Sequence, residues 1–335
     1  SYVYYSSNSK TMQSHFEEYA NVLKEEFDPK QVMEIGSNDG VFIKNFNNKT
    51  TIAIEPCGNF AEITNSLGYK TYDKFWNLEV AEHIIKNHGK RDLISSSNCV
   101  CHMQDLDEAF SAINKCLTDD GIFVFEDPSL LKMLERVSYD QIYDEHAHIF
   151  SATAVQNLLN RNGLEIFKIE NLIVHGGSNR IYACKQGTRK IEDSVAENLT
   201  LEQEHGIQNL ATYKSFAEKV AISKDTLIEL LTNMKNEGRK VVSYGATSKS
   251  TTVFNYCGIG PDLIDYIVDT TKDKQGKLSP GMHIPVVPPQ IGFDGTVDVA
   301  FLGAWNYEKE ILTKEEAFLR NGGRFITHIP YVRLM

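Results

Sequence analysis

The sequence predicts an α/β protein: a doubly wound parallel sheet carrying an antiparallel hairpin, then a helical connector and a second, smaller α/β unit. Three observations predict it. Short β-branched or apolar runs alternate with helix-length amphipathic stretches as far as Pro128. The HGGS segment from His175 to Ser178 separates two further strand-like runs by only a few residues, as a hairpin connection does. Finally, the strand–turn–helix pattern restarts at Lys240 after a long charge-rich stretch without strand signal. With 335 residues the chain is long enough for two hydrophobic cores.

Residues 11–27 place Phe16, Tyr19, Ala20, Leu23 and Phe27 at three- and four-residue steps, which is the spacing of an amphipathic helix. Strand-like runs follow at 31–35, 51–55, 92–95 and 121–126, with helices over 78–87 and 105–117. That order calls for a parallel sheet covered by helices on both faces. A polar, aromatic and histidine-bearing stretch covers 138–150, and a helix then starts at the N-cap Ser151 and stops at Gly163. Runs at 164–173 and 179–184 form the expected hairpin, and 191–236 reads as helical throughout. Strands at 240–244, 263–269, 297–303 and 324–329 build the last unit, a Rossmann-like one. The expected division is therefore 1–188, a connector over 189–237, and 238–335.

Composition narrows the functional classes. Apolar residues make up 41% and charged residues 24%, with 22 glycines and 9 prolines, the balance of a folded globular chain rather than a disordered one. Asp and Glu outnumber Lys and Arg by 45 to 34, for a net charge of −11, and no dense basic tract is present. A sequence-independent grip on nucleic acid phosphates needs many cationic contacts, so nucleic acid is not an expected partner. No apolar run approaches the 18 or so residues that span a bilayer, and the opening SYVYYSSNSK is polar, so neither a membrane partner nor a signal peptide is expected. The six cysteines (57, 99, 101, 116, 184 and 257) include one C-x-C and no C-x-x-C. They read as reduced thiols of a cytoplasmic protein.

Glu34-Ile35-Gly36-Ser37-Asn38-Asp39-Gly40 sits where a buried strand gives way to a helix, so glycines admit a ligand to the backbone and free N–H groups face it. Nineteen residues after Gly36 comes Glu55, followed by Pro56, at the end of the next strand, where a carboxylate accepts hydrogen bonds from ribose hydroxyls. A nicotinamide cofactor fits that pairing. The spacing, however, is G-x-x-x-G rather than G-x-G-x-x-G, and Glu34 and Asp39 put acid where a pyrophosphate would lie. S-adenosylmethionine, with a cationic sulfonium and no phosphate, suits these acids better. Ser97 and Asn98 close a later strand at the same sheet edge and are expected on its adenosine side.

The densest set of proton-handling side chains is Tyr139-Asp140-Gln141-Ile142-Tyr143-Asp144-Glu145-His146-Ala147-His148. Glu145, His146 and His148 lack further ligands at a recognisable spacing, so no metal is expected. EIGSNDG, the IEP of residues 54–56, YDQIYDEH, HGGSNRIY, YGATSKSTTVFNYCGI and VDTTKDKQGKLSPGMHIPV resemble the S-adenosylmethionine-dependent C-methyltransferases that act on nucleotide-linked 4-keto-deoxysugars. The resemblance runs from Tyr2 to about Gly303, and YDQIYDEH and GATSK are its specific parts. It implies methylation at the sugar C-3 beside the ketone, and active-site roles for the Tyr2/Tyr4/Tyr5 cluster, His102, Tyr143, Glu145 and His146. Members of that family usually carry an N-terminal zinc-binding module with cysteine pairs, which this sequence lacks.

Carbon methylation needs a carbanion equivalent, and a carbon next to a ketone supplies one when a base takes its proton and donors hold the enolate oxygen. His146 is the expected base, Glu145 its orienting or stabilising partner, and Tyr143 and His102 the enolate-side donors. His175 and Gly176 are expected near the substrate. Thr247, Ser248 and Lys249 combine hydroxyls, a lysine and a helix start, a grouping suited to the diphosphate of a sugar nucleotide. A nicotinamide-dependent sugar-nucleotide oxidoreductase and a non-catalytic nucleotide-binding paralogue are the rival readings.

Overall fold

Helix α1 (Lys10–Phe27) begins at Ser9, whose hydroxyl accepts the Met12 N–H at 3.3 Å, and ends where Asp28 turns left-handed at φ 43°. Its buried face is Met12, Phe16, Tyr19, Ala20 and Leu23. Truncating one of these aromatics, as in Phe16→Ala, would cost about 3–5 kcal/mol. In this computed structural model the described residues are 5–293 and 295–335, and they form two compact units, 5–130 with 147–205, and 131–146 with the described part of 206–335.

The first unit continues with β1 (Val32–Ile35), β2 (Thr51–Ile54), α2 (Gly58–Ser66), β3 (Lys70–Tyr72), α3 (Leu78–His88), β4 (Arg91–Ser97), α4 (Leu106–Cys116) and β5 (Leu117–Pro128). A helix, α5 (Leu130–Arg136), leads out of it, and α6 (Ala152–Arg161), β6 (Leu164–Leu172), β7 (Ser178–Lys185) and α7 (Asp193–Glu204) complete it. The sheet has seven strands in the order β3-β2-β1-β4-β5-β7-β6. Pairing is parallel except at β7, which runs antiparallel to both β5 and β6. β1 and β2 are buried along their whole length, as strands covered on both faces must be, so they read as mostly apolar runs, broken by Glu34 and Thr51, rather than alternating ones. Between β1 and β4 the chain order reverses. In open α/β sheets ligands bind at such a reversal, outside the carboxyl ends of the strands.

The second unit holds α8 (Leu210–Asn236), β8 (Val241–Tyr244), α9 (Ser248–Cys257), β9 (Ile267–Val268), β10 (Val286–Val287), β11 (Val299–Leu302), β12 (Arg324–Thr327) and β13 (Arg333–Leu334). Its six strands are ordered β10-β9-β8-β11-β12-β13, and only β13 is antiparallel to its neighbour. Leu227 and Leu231 of α8 pack with Val241, Val253, Phe254, Phe301 and Ile326 to form its core. Val137 and Tyr139 are buried in that same core, which is why 131–146 joins this unit although the chain returns to the first one afterwards. These units therefore divide the chain elsewhere than at 188 and 237. Most of the expected connector is α8 itself, held by the second core through every third or fourth residue. Among the described residues no helix is long and apolar enough to cross a membrane.

Candidate active site

The turn after β1 is built for close approach. Gly36 has φ +78°, and a Cβ there would stand 2.6 Å from the Cys99 Sγ, so only glycine fits. The Gly36 N–H donates to the Ile54 carbonyl at 2.8 Å, which ties the turn to β2. Glu55, just past β2, accepts the Asn38 N–H on Oε2 at 2.7 Å and the Cys57 N–H on Oε1 at 2.9 Å. These amides and the Cys57 thiol leave the carboxylate at least one lone pair for a ligand hydroxyl. Asn38 Oδ1 and Asp39 Oδ2 accept the backbone N–H groups of Ser6 and Ser7, both at 3.1 Å, so the segment before α1 is strapped to this loop. The Tyr5 ring stands edge-on to Phe60 at 4.9 Å in the same region. Tyr2 and Tyr4 lie outside the described residues.

This edge is acidic and underused. Glu34 Oε2, Ser37 Oγ, Asp39 Oδ1 and Ser97 Oγ are buried without a hydrogen-bond partner, whereas buried polar groups are normally satisfied. Burial, and then the nearby Glu55 and Asp39, push the Glu34 carboxyl well above the carboxylate range. Burial also raises Glu55, against the pull of the Cys57 and Asn38 amides. A further acid, Asp127 at the end of β5, is 3% exposed, and neither of its oxygens meets hydrogen-bond geometry, although Cys101 lies close by. Its carboxyl is pushed up to about 7, chiefly by burial. Desolvated acids of this kind favour a cation, whose charge restores what burial took away. The donor set thus fits a sulfonium nucleoside: a glycine turn against the backbone, a carboxylate for ribose, and acids for positive charge.

Sequence reasoning missed Asp127, and it missed the buried charge network beside it. Glu126 faces Arg180 across the β5–β7 register and receives its Nε–H at 2.6 Å, while His15 of α1 reaches the other oxygen at 2.8 Å. Arg180 also donates to Glu170 at 3.0 Å and lies 3.9 Å over the Tyr19 ring. Burial alone would raise Glu126, but His15 and Arg180 hold it below the usual carboxylate range. The signal was the register of the hairpin, which aligns Glu126, Arg180 and Glu170 in one row. Asn98, at φ 51°, donates its N–H to the Glu126 carbonyl at 2.7 Å. His175, also left-handed at φ 51°, sits in the β6–β7 turn before Gly176, and the Gly177 carbonyl accepts the Ser129 N–H at 3.0 Å. His102 is exposed at the end of a short 3-10 turn. His148 directs Nε2 to the Met103 carbonyl at 3.0 Å.

Tyr143, Glu145 and His146 belong to the second unit. The His146 Nδ1 lies 2.9 Å from the Gln141 carbonyl, and its backbone N–H donates to the Tyr143 carbonyl at 2.9 Å. A carbonyl only accepts, so Nδ1 carries the proton in the neutral ring and Nε2 carries the lone pair. The Tyr143 and His146 rings lie 4.0 Å apart at 33°, and the Lys249 ammonium is 5.7 Å above the Tyr143 ring. Glu145 is exposed. Below them Asp140, fully buried, accepts the Trp305 indole N–H at 2.5 Å and lies 3.4 Å from the His328 Nε2.

At the turn after β8, Gly245 donates its N–H to the Val268 carbonyl at 2.8 Å and has φ +96°. Thr247 caps α9: its hydroxyl accepts the Ser250 N–H at 3.0 Å and donates to the Gly303 carbonyl at 2.7 Å. That hydroxyl's one proton is thereby committed to the fold, which leaves Ser248 and Lys249 as the donors of the turn. Asp269 accepts the Ala246 and Thr271 N–H groups, both at 2.7 Å.

Two sequence families match the chain, a methyltransferase domain over residues 10–169 and a C-methyltransferase C-terminal domain over residues 173–330. The C-methyltransferase NovU of Streptomyces niveus is 32% identical over 340 residues, an alignment covering all of this chain and 81% of that protein. Among solved structures, an S-adenosylmethionine-dependent methyltransferase of Clostridium acetobutylicum aligns with 52% of this chain and 92% of its own at 14% identity and a TM-score of 0.41. A methyltransferase of Thermotoga maritima aligns with 52% and 89% at 18% identity and a TM-score of 0.40. The identity to NovU, in an alignment that spans the whole chain, establishes that the chain belongs to the S-adenosylmethionine-dependent C-methyltransferases.

Proposed function

We propose that this methyltransferase acts on a nucleotide-linked 4-keto-deoxysugar, removing the proton next to the ketone and methylating the resulting enolate at C-3. The observation that carries the reading is the His146 Nδ1 contact with the Gln141 carbonyl at 2.9 Å, because it presets the tautomer a general base requires. S-adenosylmethionine, when bound, supplies an electrophilic methyl group and a positive charge.

The residues divide the work as follows. Gly36, Ser37, Asn38 and Gly40 bring backbone and small polar groups to the cofactor, Glu34 and Asp39 supply negative charge, and Glu55 takes the ribose hydroxyls, with Pro56, Ser97 and Asn98 on the adenosine side. His146 takes the C-3 proton at Nε2, Tyr143 and His102 donate hydrogen bonds to the enolate oxygen, and Glu145 stabilises the charged base. Tyr2, Tyr4, Tyr5, His175 and Gly176 contact the sugar. Ser248 and Lys249, with Thr247 shaping their turn, hold the diphosphate. Enolate chemistry is what carbon methylation demands, and a base, two donors and a cation-holding acidic loop are the groups it uses.

The test separates proton removal from methyl transfer. With S-adenosylhomocysteine bound and the ketosugar nucleotide in deuterated water, the wild type should exchange the proton beside the ketone, since deprotonation needs no methyl donor. His146→Ala should lose that exchange and methyl transfer together, by about two to four orders of magnitude in rate. Tyr143→Phe should slow both less. Methylation by the His146 variant at the normal rate would remove His146 as base.

A further inference from the structure

We infer that Asp140 is a positioning residue for His146: its buried carboxylate nails the turn that carries the Gln141 carbonyl, and that carbonyl fixes the imidazole. The inference deepens the reading of His146 as base and rests on it for its catalytic meaning.

The chain of contacts lies wholly within the second unit. Residues Tyr139–Gln141 form one 3-10 turn, closed by the Gln141 N–H on the Ser138 carbonyl at 3.2 Å and by the Ile142 N–H on the Tyr139 carbonyl at 3.1 Å. The Gln141 amide nitrogen donates to the Ser138 hydroxyl at 2.8 Å, which leaves the Gln141 backbone carbonyl to the His146 Nδ1. Asp140 is the middle residue of this turn, and its side chain is 0% exposed. Trp305 and His328, from the far end of the sequence, meet one of its oxygens; the other, Oδ1, has no partner.

Fixing a turn does not by itself call for a charge. A buried carboxylate is costly to keep, and an apolar group of the same size is commonly no less stabilising, so its presence points to a demand for specificity. Here the charge is kept. Burial would raise the Asp140 carboxyl, but His328 first, then Lys249 and the Trp305 indole, hold it below the usual range. Lys249, whose charge helps hold the Asp140 carboxyl down, lies 5.7 Å over the Tyr143 ring, which is tilted 33° against the His146 ring. A neutral residue at 140 would weaken the hold of Trp305 and His328 on the turn, and with it the fixed position of the Gln141 carbonyl that meets the His146 Nδ1. Displacements of about 1 Å in such a constellation cost on the order of a hundredfold in rate.

Long-range proton–nitrogen spectra of the full chain with labelled histidine read the imidazole directly, with no substrate needed, and the His146→Gln spectrum assigns the signals. The wild type should show His146 as a single Nδ1–H tautomer. Asp140→Asn, nearly the same size, should turn it into the averaged mixture of an unconstrained ring, with the remaining histidines other than His328 unmoved. Trp305→Phe, which removes the indole N–H while keeping an aromatic ring, should do the same in part and serves if Asp140→Asn does not fold. An unchanged Nδ1–H signal in a folded variant, or no Nδ1–H tautomer in the wild type, would overturn the inference. Failure of proton exchange to depend on His146 would instead remove the base reading and leave the tautomer result standing.

Discussion

The turns after β1 and β8 share one backbone plan and carry opposite chemistry. In each, a left-handed glycine donates its N–H to the last residue of the neighbouring strand at 2.8 Å, Gly36 to Ile54 and Gly245 to Val268. In each, an acid just past that strand accepts an amide of the turn and the amide two residues beyond itself: Glu55 from Asn38 and Cys57, Asp269 from Ala246 and Thr271. Around Gly36 stand the buried acids Glu34 and Asp39, each with an oxygen left unpaired. Around Gly245 stand lysines, Lys249 in the turn's helix and Lys274 donating to the Ala246 carbonyl at 2.8 Å, and the Thr247 hydroxyl is spent on a helix cap. A common strand–glycine–helix geometry makes room for a ligand. In the proposed reading, the charge placed around it selects a sulfonium at the first turn and a phosphate at the second.

The glycines give the largest predicted contrast. Gly36→Ala puts a methyl group 2.6 Å from the Cys99 Sγ at φ +78°, so S-adenosylmethionine affinity should fall by about two orders of magnitude. Gly245→Ala, at φ +96°, meets the Ala304 Cβ at 3.3 Å and the Thr247 Cγ2 at 3.4 Å, and should cost stability of about 1–2 kcal/mol while leaving that affinity alone. Calorimetric titration and thermal unfolding of the two variants check both halves, and equal loss of cofactor binding would break the comparison. Next in size, Lys249→Ala should raise the KM for the sugar nucleotide about tenfold with cofactor affinity unchanged, as expected for a point charge on phosphate. If cofactor binding fell instead, the division between the turns would be wrong.

Asp127 gives the smallest effect and a signed one. Its carboxyl holds a proton up to about pH 7 in the folded chain, against 3.8 ordinarily. Between those values the folded state binds more protons than the unfolded one, so this group's contribution to stability falls as the pH rises through that window. Asp127→Asn should therefore melt about several degrees above the wild type at pH 8 and close to it at pH 4. A variant that is less stable at pH 8 would show that the carboxylate is paired rather than merely buried.

Much of the frame was legible because period and punctuation carry it. The runs read as strands at 31–35, 51–55, 92–95 and 121–126 fall on β1, β2, β4 and β5, and Ser151 caps α6 by accepting the Ala154 N–H at 3.1 Å. β3, β10 and β13 have only two or three residues each, too few to show an alternation, and they exist because a neighbouring strand offers its edge. The Gly36 loop and Glu55 were accessible from motif spacing, and Tyr143 and His146 came from the resemblance carried by YDQIYDEH. Glu126 with Arg180, Asp140 with Trp305 and His328, and Asp269 with Ala246 were not, since each joins residues distant in sequence and depends on register or packing that local pattern does not encode. The segregation of 131–146 into the second unit was hidden for the same reason: Val137 and Tyr139 look like ordinary apolar residues until the core that takes them is known.

Glu55→Ala, titrated in parallel with S-adenosylmethionine and with inorganic pyrophosphate, tests the opposition of the two turns most directly. The account predicts that affinity for S-adenosylmethionine falls by about one to two orders of magnitude, the loss expected when ribose hydroxyls lose a charged acceptor, while affinity for pyrophosphate stays within about twofold. Unchanged S-adenosylmethionine affinity in the folded variant, or an equal loss for both ligands, would contradict it.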